Sequence, residues 1–339
     1  MKRILKYYLL LLTLVSMQAL KAQDPHFSQY FASPLTLNPA NTGFFDGEHR
    51  VASNIRQQSI GAGAIFRTAT VSYDTKLLTG KLDEYDQWGV GVLVLNDQSS
   101  AGALRNNILS VSTSYRKTLD EDGLHSLGIG FQGSYADKYL DMTRLSFASQ
   151  FTNGGFDIQL PSGEGAAFQR SKYWDAQVGF LYAYRDELLN VYAGASLYHI
   201  SQPRQGFLDN EPTNRLPRRT SIQAGMAQMH NDNQWMVSGL YMNQGGVNEM
   251  VVGGAYGLNW GVEGEDKYLY AGAWYRMSGD VYPYIGLQWG SFQGGLSYDI
   301  ALPSSGMAGQ QRMQSLELSL IYSFRKDPAA SFRLPCSKF

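Results

Sequence analysis

From Glu48 to Phe324 this chain repeats segments of roughly ten to fourteen residues, the length of a strand, with turn residues between them. They divide as 48–59, 64–76, 86–97, 105–118, 124–137, 172–184, 189–200, 216–229, 233–244, 248–260, 267–277, 280–290, 291–301 and 313–325, about fourteen in all. Several alternate with a period of two. Leu316, Leu318, Leu320, Tyr322 and Phe324 interleave with Glu317, Ser319, Ile321 and Ser323. Trp174, Ala176, Val178, Phe180, Tyr182 and Tyr184 interleave with Asp175, Gln177, Gly179, Leu181 and Ala183. Trp88 to Leu95 is less regular, apolar on both faces apart from its glycines. Alternation gives each strand one apolar and one polar face, as in a soluble sandwich or a membrane barrel. The aromatic strand ends and the absence of a second domain favour the barrel, whose strands need only about nine to eleven residues to cross a bilayer. Closure is the physical requirement there: lipid offers no hydrogen bonds, so every strand N–H and C=O must pair within the sheet.

Connection lengths support the same reading. If the first strand starts on the periplasmic side, the long connections Lys138–Ser171, Ser201–Arg215 and Leu302–Arg312 all fall outside. The short ones, LDEDG at 119–123, RDEL at 185–188 and HNDN at 230–233, fall inside. Short periplasmic turns and longer outer loops are the asymmetry of outer-membrane barrels.

Residues 1–22 form an export signal: Lys2, Arg3 and Lys6, an apolar run from Tyr7 to Val15, and Ala22 at the cleavage point. No cysteine follows it to take a lipid anchor, and no later run of apolar residues is long enough for a transmembrane helix. Only 17% of residues are charged, against roughly 25% in soluble domains. Lys2, Arg3, Lys6 and Lys21 leave with the signal, so the mature chain is net acidic and has no basic cluster, a poor match to nucleic acid. The single cysteine, Cys336, forms no internal disulfide.

The segment behind the signal, QDPHFSQYFASPLTLNPANTG at 23–43, is distinctive. Pro25, Pro34 and Pro39 prevent a long ladder, while Phe27, Tyr30, Phe31, Leu35, Phe44 and Phe45 are too apolar for a free tail. Residues 23–47 are therefore expected to tuck into the periplasmic mouth of the barrel (48–325) or to dock on a partner. Residues 326–339 follow as a short periplasmic tail, with Phe332, Cys336 and Phe339 as its candidate contacts.

Further motifs follow in order: WGVGVLVLNDQSSAG at 88–102, FDIQLPSGE at 156–164, YWDAQVGF at 173–180, HISQPRQGF at 199–207, LPRRTSIQAG at 216–225, GLSYDI at 295–300 and LPCSKF at 334–339. With the opening segment they make the chain resemble the PorP/SprF family of outer-membrane proteins over nearly its whole mature length. His26, Phe27, Tyr30, Asn38, Pro39, Asn41 and Gly43 stand where that family's pattern expects them, and Phe31 lies among them. The family tail commonly reads Cys-Pro-Arg-Phe; here Ser337 and Lys338 depart from it while Cys336 and Phe339 remain. The resemblance implies a non-enzymatic role in type IX secretion or gliding, supporting export or surface anchoring of adhesin-like cargo. The implied partners are the periplasmic ring, peptidoglycan-linked lipoproteins, a secreted adhesin and outer-membrane lipid. The alternatives are a porin or hydrophobic-solute channel and, further off, a barrel lipase or acyltransferase.

Catalytic and ligand motifs are weak. His199 and Ser201 share a strand face and resemble the His-x-Ser spacing of phospholipase barrels, but Gln202 and Pro203 follow in place of Asn-Gly and the position opens into a long loop. His26, His49, His125 and His230 lack metal-ligand spacing. Asp120-Glu121-Asp122-Gly123 lacks the EF-hand pattern. Gly128-x-Gly130-x-x-Gly133 fits a dinucleotide expression but lies within an alternating strand with no helix after it. No catalytic residue, metal or cofactor is expected.

Overall fold

The computed structural model describes residues 24–60, 64–83, 85–99, 102–157, 159–163, 168–207, 215–262, 265–302 and 314–324. The signal, Gln23 and the tail residues Phe332, Cys336 and Phe339 lie outside them. The first strands are β1 (His49–Ile60), β2 (Ala64–Leu77), β3 (Gln87–Ser99), β4 (Leu104–Thr118) and β5 (His125–Asp141). A two-stranded ribbon follows, β6 (Phe151–Thr152) and β7 (Gly155–Phe156). Next come β8 (Phe168–Arg185), β9 (Leu189–Tyr198), β10 (Arg219–His230), β11 (Asn233–Gln244) and β12 (Val247–Asn259). The last are β13 (Lys267–Arg276), β14 (Asp280–Trp289), β15 (Phe292–Ala301) and β16 (Gln314–Phe324). Apart from the ribbon, all pair antiparallel with their neighbours, and β1 pairs with β16 from His49↔Phe324 to Ser59↔Gln314, closing a barrel of fourteen strands. No described helix is long and apolar enough to cross a membrane.

The period of two decides which face is which. Along β16 burial alternates at every residue: Leu316, Leu318, Leu320 and Tyr322 are exposed, while Ser315, Glu317, Ser319 and Ser323 are buried. A soluble sheet would bury the leucines. Here the apolar face is the outside and the polar face the inside, the arrangement a bilayer imposes. At the rim where β1 begins, outward aromatic and imidazole rings pair up, as in His49 with Tyr73, His125 with Tyr182 and Trp260 with Trp289. Such rings match an interfacial girdle.

The expected connection asymmetry is present. The short turns after β4, β8 and β10 share one rim with the start of β1, and the long connections after β5, β9 and β15 share the other. Leu78–Asp86 is longer than its neighbours on the short-turn rim, and Lys117 ties it down through Asp83 and Asp86, at 2.7 and 2.9 Å. One expectation needs correcting. The connection expected to run from Lys138 to Ser171 is partly strand: the Asp137–Arg170 ion pair and the Tyr139–Phe168 ring contact carry the β5–β8 pairing to Asp141 and Phe168.

Candidate functional site

The segment before β1 lies inside the barrel. Its three prolines break it into short turns: Tyr30–Ala32, Pro34–Leu37 and Pro39–Asn41, the last two each opened by a proline, whose missing N–H costs nothing there. Asn38, held extended before Pro39, accepts the Ala40 N–H on its side-chain oxygen at 2.9 Å and caps the last turn. The sequence alone leaves this segment either tucked into the periplasmic mouth, where β1 starts, or docked on a partner. Instead it threads the lumen from end to end. Asp24 sits at the long-connection rim, bonded to Gln244, His199 and Arg219. Phe44 and Phe45 sit at the opposite rim under Arg116, Arg185 and Arg50. A polar lumen whose side chains accept from the main chain, as Gln244, Glu317 and Asp74 do for the N–H groups of Asp24, Ser28, Gln29 and Gly43, suits a segment whose own backbone makes no ladder, and this explains the deep insertion.

All eight residues singled out in this segment lie in the lumen. His26 Nε2 is 2.9 Å from Glu249 Oε2. Phe27 is buried. The Tyr30 hydroxyl donates to Ser238 Oγ at 2.6 Å. Phe31 packs against Trp274 and Tyr284, centroids 5.0 and 5.5 Å away. Asn38 Nδ2 donates to the Phe180 carbonyl of the wall at 3.0 Å. Pro39 lies on Gly130. Asn41 Nδ2 donates back to the Pro34 carbonyl at 3.0 Å. The Gly43 N–H donates to Asp74 Oδ2 at 2.8 Å, with φ at +72°, a conformation that favours glycine.

Sequence reasoning missed the wall side of this contact. Inward glycines form the groove in which the plug lies. A Cβ on Gly179 would come within 1.9 Å of Asn38 Oδ1, one on Gly130 within 2.3 Å of the Pro39 carbonyl carbon, and one on Gly89 within 2.4 Å of the Thr42 oxygen. The signal was there in GVGV and GIGF, where glycine recurs at every second position, and so always on one face. Inward charges were missed too. Arg50 and Asp74, both essentially unexposed, form a two-pronged pair at 2.9 and 2.7 Å, and Arg50 Nη2 also donates to the Asn41 carbonyl at 3.1 Å. Glu317 takes the N–H groups of Ser28 and Gln29, each at 2.8 Å. Ser28 Oγ donates to Asp299, which also holds Arg56 at 3.0 Å, and Arg56 donates to the His26 carbonyl.

His199 and Ser201 do meet chemistry, but not that of a nucleophile. His199 Nδ1 lies 2.6 Å from Asp175 and Nε2 2.5 Å from Asp24, so carboxylates occupy both ring nitrogens. Ser201 Oγ donates to Asp175 at 2.9 Å and not to the imidazole. A triad needs serine on one nitrogen and carboxylate on the other. This cluster is instead a latch for Asp24, the first described residue of the plug, with Arg219 Nη1 3.2 Å away. Burial opposes the charge on His199, but its hydrogen bonds to Asp175 and Asp24 outweigh it and raise the imidazole pKa. Burial likewise opposes ionisation of Asp24, and His199 and Arg219 overcome it, holding the carboxyl well below its usual range. Of the other motifs, Gly130 of the glycine expression serves the plug. Asp120 of the acidic run caps its own turn through the Leu124 and His125 N–H groups.

No functionally curated protein matches the chain in sequence. Among solved structures it is similar to a FadL homologue of Pseudomonas aeruginosa, at 10% identity over 85% of this chain and 93% of that one, with a TM-score of 0.49. It is also similar to the CymD monoaromatic hydrocarbon channel, at 12% identity over 87% and 93%, with a TM-score of 0.47. In sequence, residues 19–322 match the family described as type IX secretion system membrane protein PorP/SprF. With that match over a closed, lipid-faced barrel, the chain belongs to the PorP/SprF family and is an outer-membrane protein of type IX secretion.

Proposed function

We propose that this protein acts without catalysis, as a docking component that supports export or surface retention of adhesin-like secreted proteins. In this reading the periplasmic ring and peptidoglycan-linked lipoproteins meet its short-turn rim, and cargo meets its long-connection rim. The observation that carries the reading is the plug that crosses the lumen. A porin or solute channel needs an open path, whereas here residues 24–45 run through the barrel from one rim to the other, pinned by the ion pairs of Asp24 and His26 with the wall and by close glycine contacts. The Asp175–His199–Asp24 arrangement likewise speaks against a lipase.

Purification from outer membranes under mild detergent, with identification of co-eluting proteins, tests this reading. Type IX components or an exported protein should accompany the chain, and the isolated protein should show no steady large conductance in planar bilayers. Conductance without companions would replace this reading with the channel.

A further inference from the structure

The barrel wall is not level. β8 has 18 residues and its neighbour β9 only 10. β8 pairs with β5 all the way from Phe168 to Tyr184, yet with β9 only from Val178 to Arg185. Beyond Tyr198 the chain enters His199 in the left-handed region, φ 58°, and makes one more main-chain bond, from the Ile200 N–H to the Ala176 carbonyl at 3.1 Å. It then bends over the lumen mouth, where Gln205 and Phe207 meet Lys138 of β5. Among the described residues, no strand pairs with Phe168–Asp175 on the side where β9 would continue.

The groups left on that edge can be named. A strand residue turns its N–H and C=O to the same side, and successive residues alternate. Ala176 turns toward β9, so Trp174, Lys172 and Arg170 do the same. Their side chains are exposed on the outer face. Trp174 is 73% exposed and leans on Tyr135, while Arg170 grips Asp137, leaving Lys172 without a hydrogen-bonded carboxylate among the described residues. A bare edge cannot lie in hydrocarbon. An outward tryptophan marks the lipid–water boundary, which puts the residues beyond it, toward Phe168, in water. An open edge in water is a template for strand addition that proteins normally blunt or cover.

We propose that the Phe168–Asp175 edge of β8 accepts an added strand from an exported protein. The added segment is extended, pairs through the main chain of Arg170, Lys172 and Trp174, sets an acidic side chain against Lys172 and rests an apolar one on Trp174. A second copy of this chain fits poorly, because edge-to-edge pairing across a two-fold axis sets Arg170 and Lys172 against their own kind. The inference rests on the functional reading above and names the part of the rim that cargo would use.

Lys172→Pro removes one edge N–H, and its ring blocks pairing there while the bonds to β5 stay intact; proline is tolerated on edges. Lys172→Ser removes the charge but keeps the N–H. In complexes purified from outer membranes, the Arg170 and Lys172 amides should exchange with deuterium at least about tenfold more slowly than in the isolated chain. Lys172→Pro should lower retention of the exported protein by about tenfold or more, with Lys172→Ser falling between. Slow exchange already in the isolated monomer would mean that the chain covers its own edge, and slow exchange only in a dimer would assign the edge to a second copy; either overturns the inference. Equal retention by Lys172→Pro and wild type overturns it while leaving the functional reading intact. If wild type retains no exported protein, both fail.

Discussion

A Cβ added at Gly130 would sit 2.3 Å from the Pro39 carbonyl carbon and 2.4 Å from the Ala40 nitrogen, both backbone atoms that cannot swing aside. At Gly133, three residues along the same strand and therefore on its outer face, it would meet nothing within 4 Å. Two of the three glycines in the Gly128-x-Gly130-x-x-Gly133 run therefore make opposite predictions. Gly130→Ala should cost about 3 kcal/mol, the upper end for overpacking, and Gly133→Ala close to nothing. Heat-modifiability of the folded barrel on gels reads both, and equal behaviour would mean the plug is not seated where Pro39 places it. The Asp24 latch makes a second residue-scale prediction. Because His199 is raised, its contribution is complete below the ordinary imidazole range, about 6.5, and is lost as pH climbs through the raised value. Because Asp24 is depressed, its contribution is present above about 3.9 and is lost only as pH falls through the lowered value. Wild type should thus exceed His199→Gln in barrel stability by about 2 kcal/mol at about pH 5, with the gap narrowing toward about pH 9. A gap that stays constant across that range would mean a neutral imidazole and a weaker latch.

At the level of elements, the plug and the wall depend on each other. Phe27, Tyr30, Phe31 and Leu35 are buried against the lumen, each worth about 1.5–3 kcal/mol on full burial. Deleting 24–43 while keeping the signal should leave a barrel that reaches the outer membrane, melts at a lower temperature and conducts ions where wild type does not. A deleted protein that stays silent would show that inward side chains such as Tyr270, Trp274 and Tyr282 close the lumen unaided. The strands themselves were legible in the sequence because a membrane wall enforces the period of two along their whole length, as β16 shows. The plug's contents were legible as apolar residues stranded between prolines. Its path was not. Nothing local to 24–45 says that Asp74, 31 residues further on and inside a strand, will hold Gly43, or that Gly179 leaves room for Asn38. Such contacts depend on barrel closure, which sequence spacing does not encode. The extra length of β5 and β8 was hidden for a related reason: charged residues at Lys138, Asp141 and Arg170 read as loop, but the strand pairing runs through them and the Asp137–Arg170 ion pair supports a hairpin standing above the lipid.

For the whole molecule, the threaded plug carries Asp24 to the rim of the long connections. β1 begins at the rim of short turns, the periplasmic rim under barrel asymmetry. A segment that stayed there would leave the mature N-terminus in the periplasm, as the sequence alone suggests. The structure moves Asp24 across the barrel to join His199, Arg219 and Gln244 at the ends of β9, β10 and β11. That is the rim carrying the long connections, 142–167 among them. Three tags therefore sort in a way that no simple inside-or-outside rule for the N-terminus gives. An epitope placed directly after the signal, ahead of Asp24, should label on intact cells together with one inserted at Gly163. An epitope at Asp122, in the turn between β4 and β5, should label only after permeabilisation. If the N-terminal and Asp122 tags behave alike and Gly163 differs, the plug enters from the periplasm without crossing. If all three reverse, the barrel is inverted and the asymmetry of its connections has misled. The tags at the N-terminus and Gly163 label together only if the segment traverses the lumen, so their joint labelling tests the fold of the plug in the living membrane.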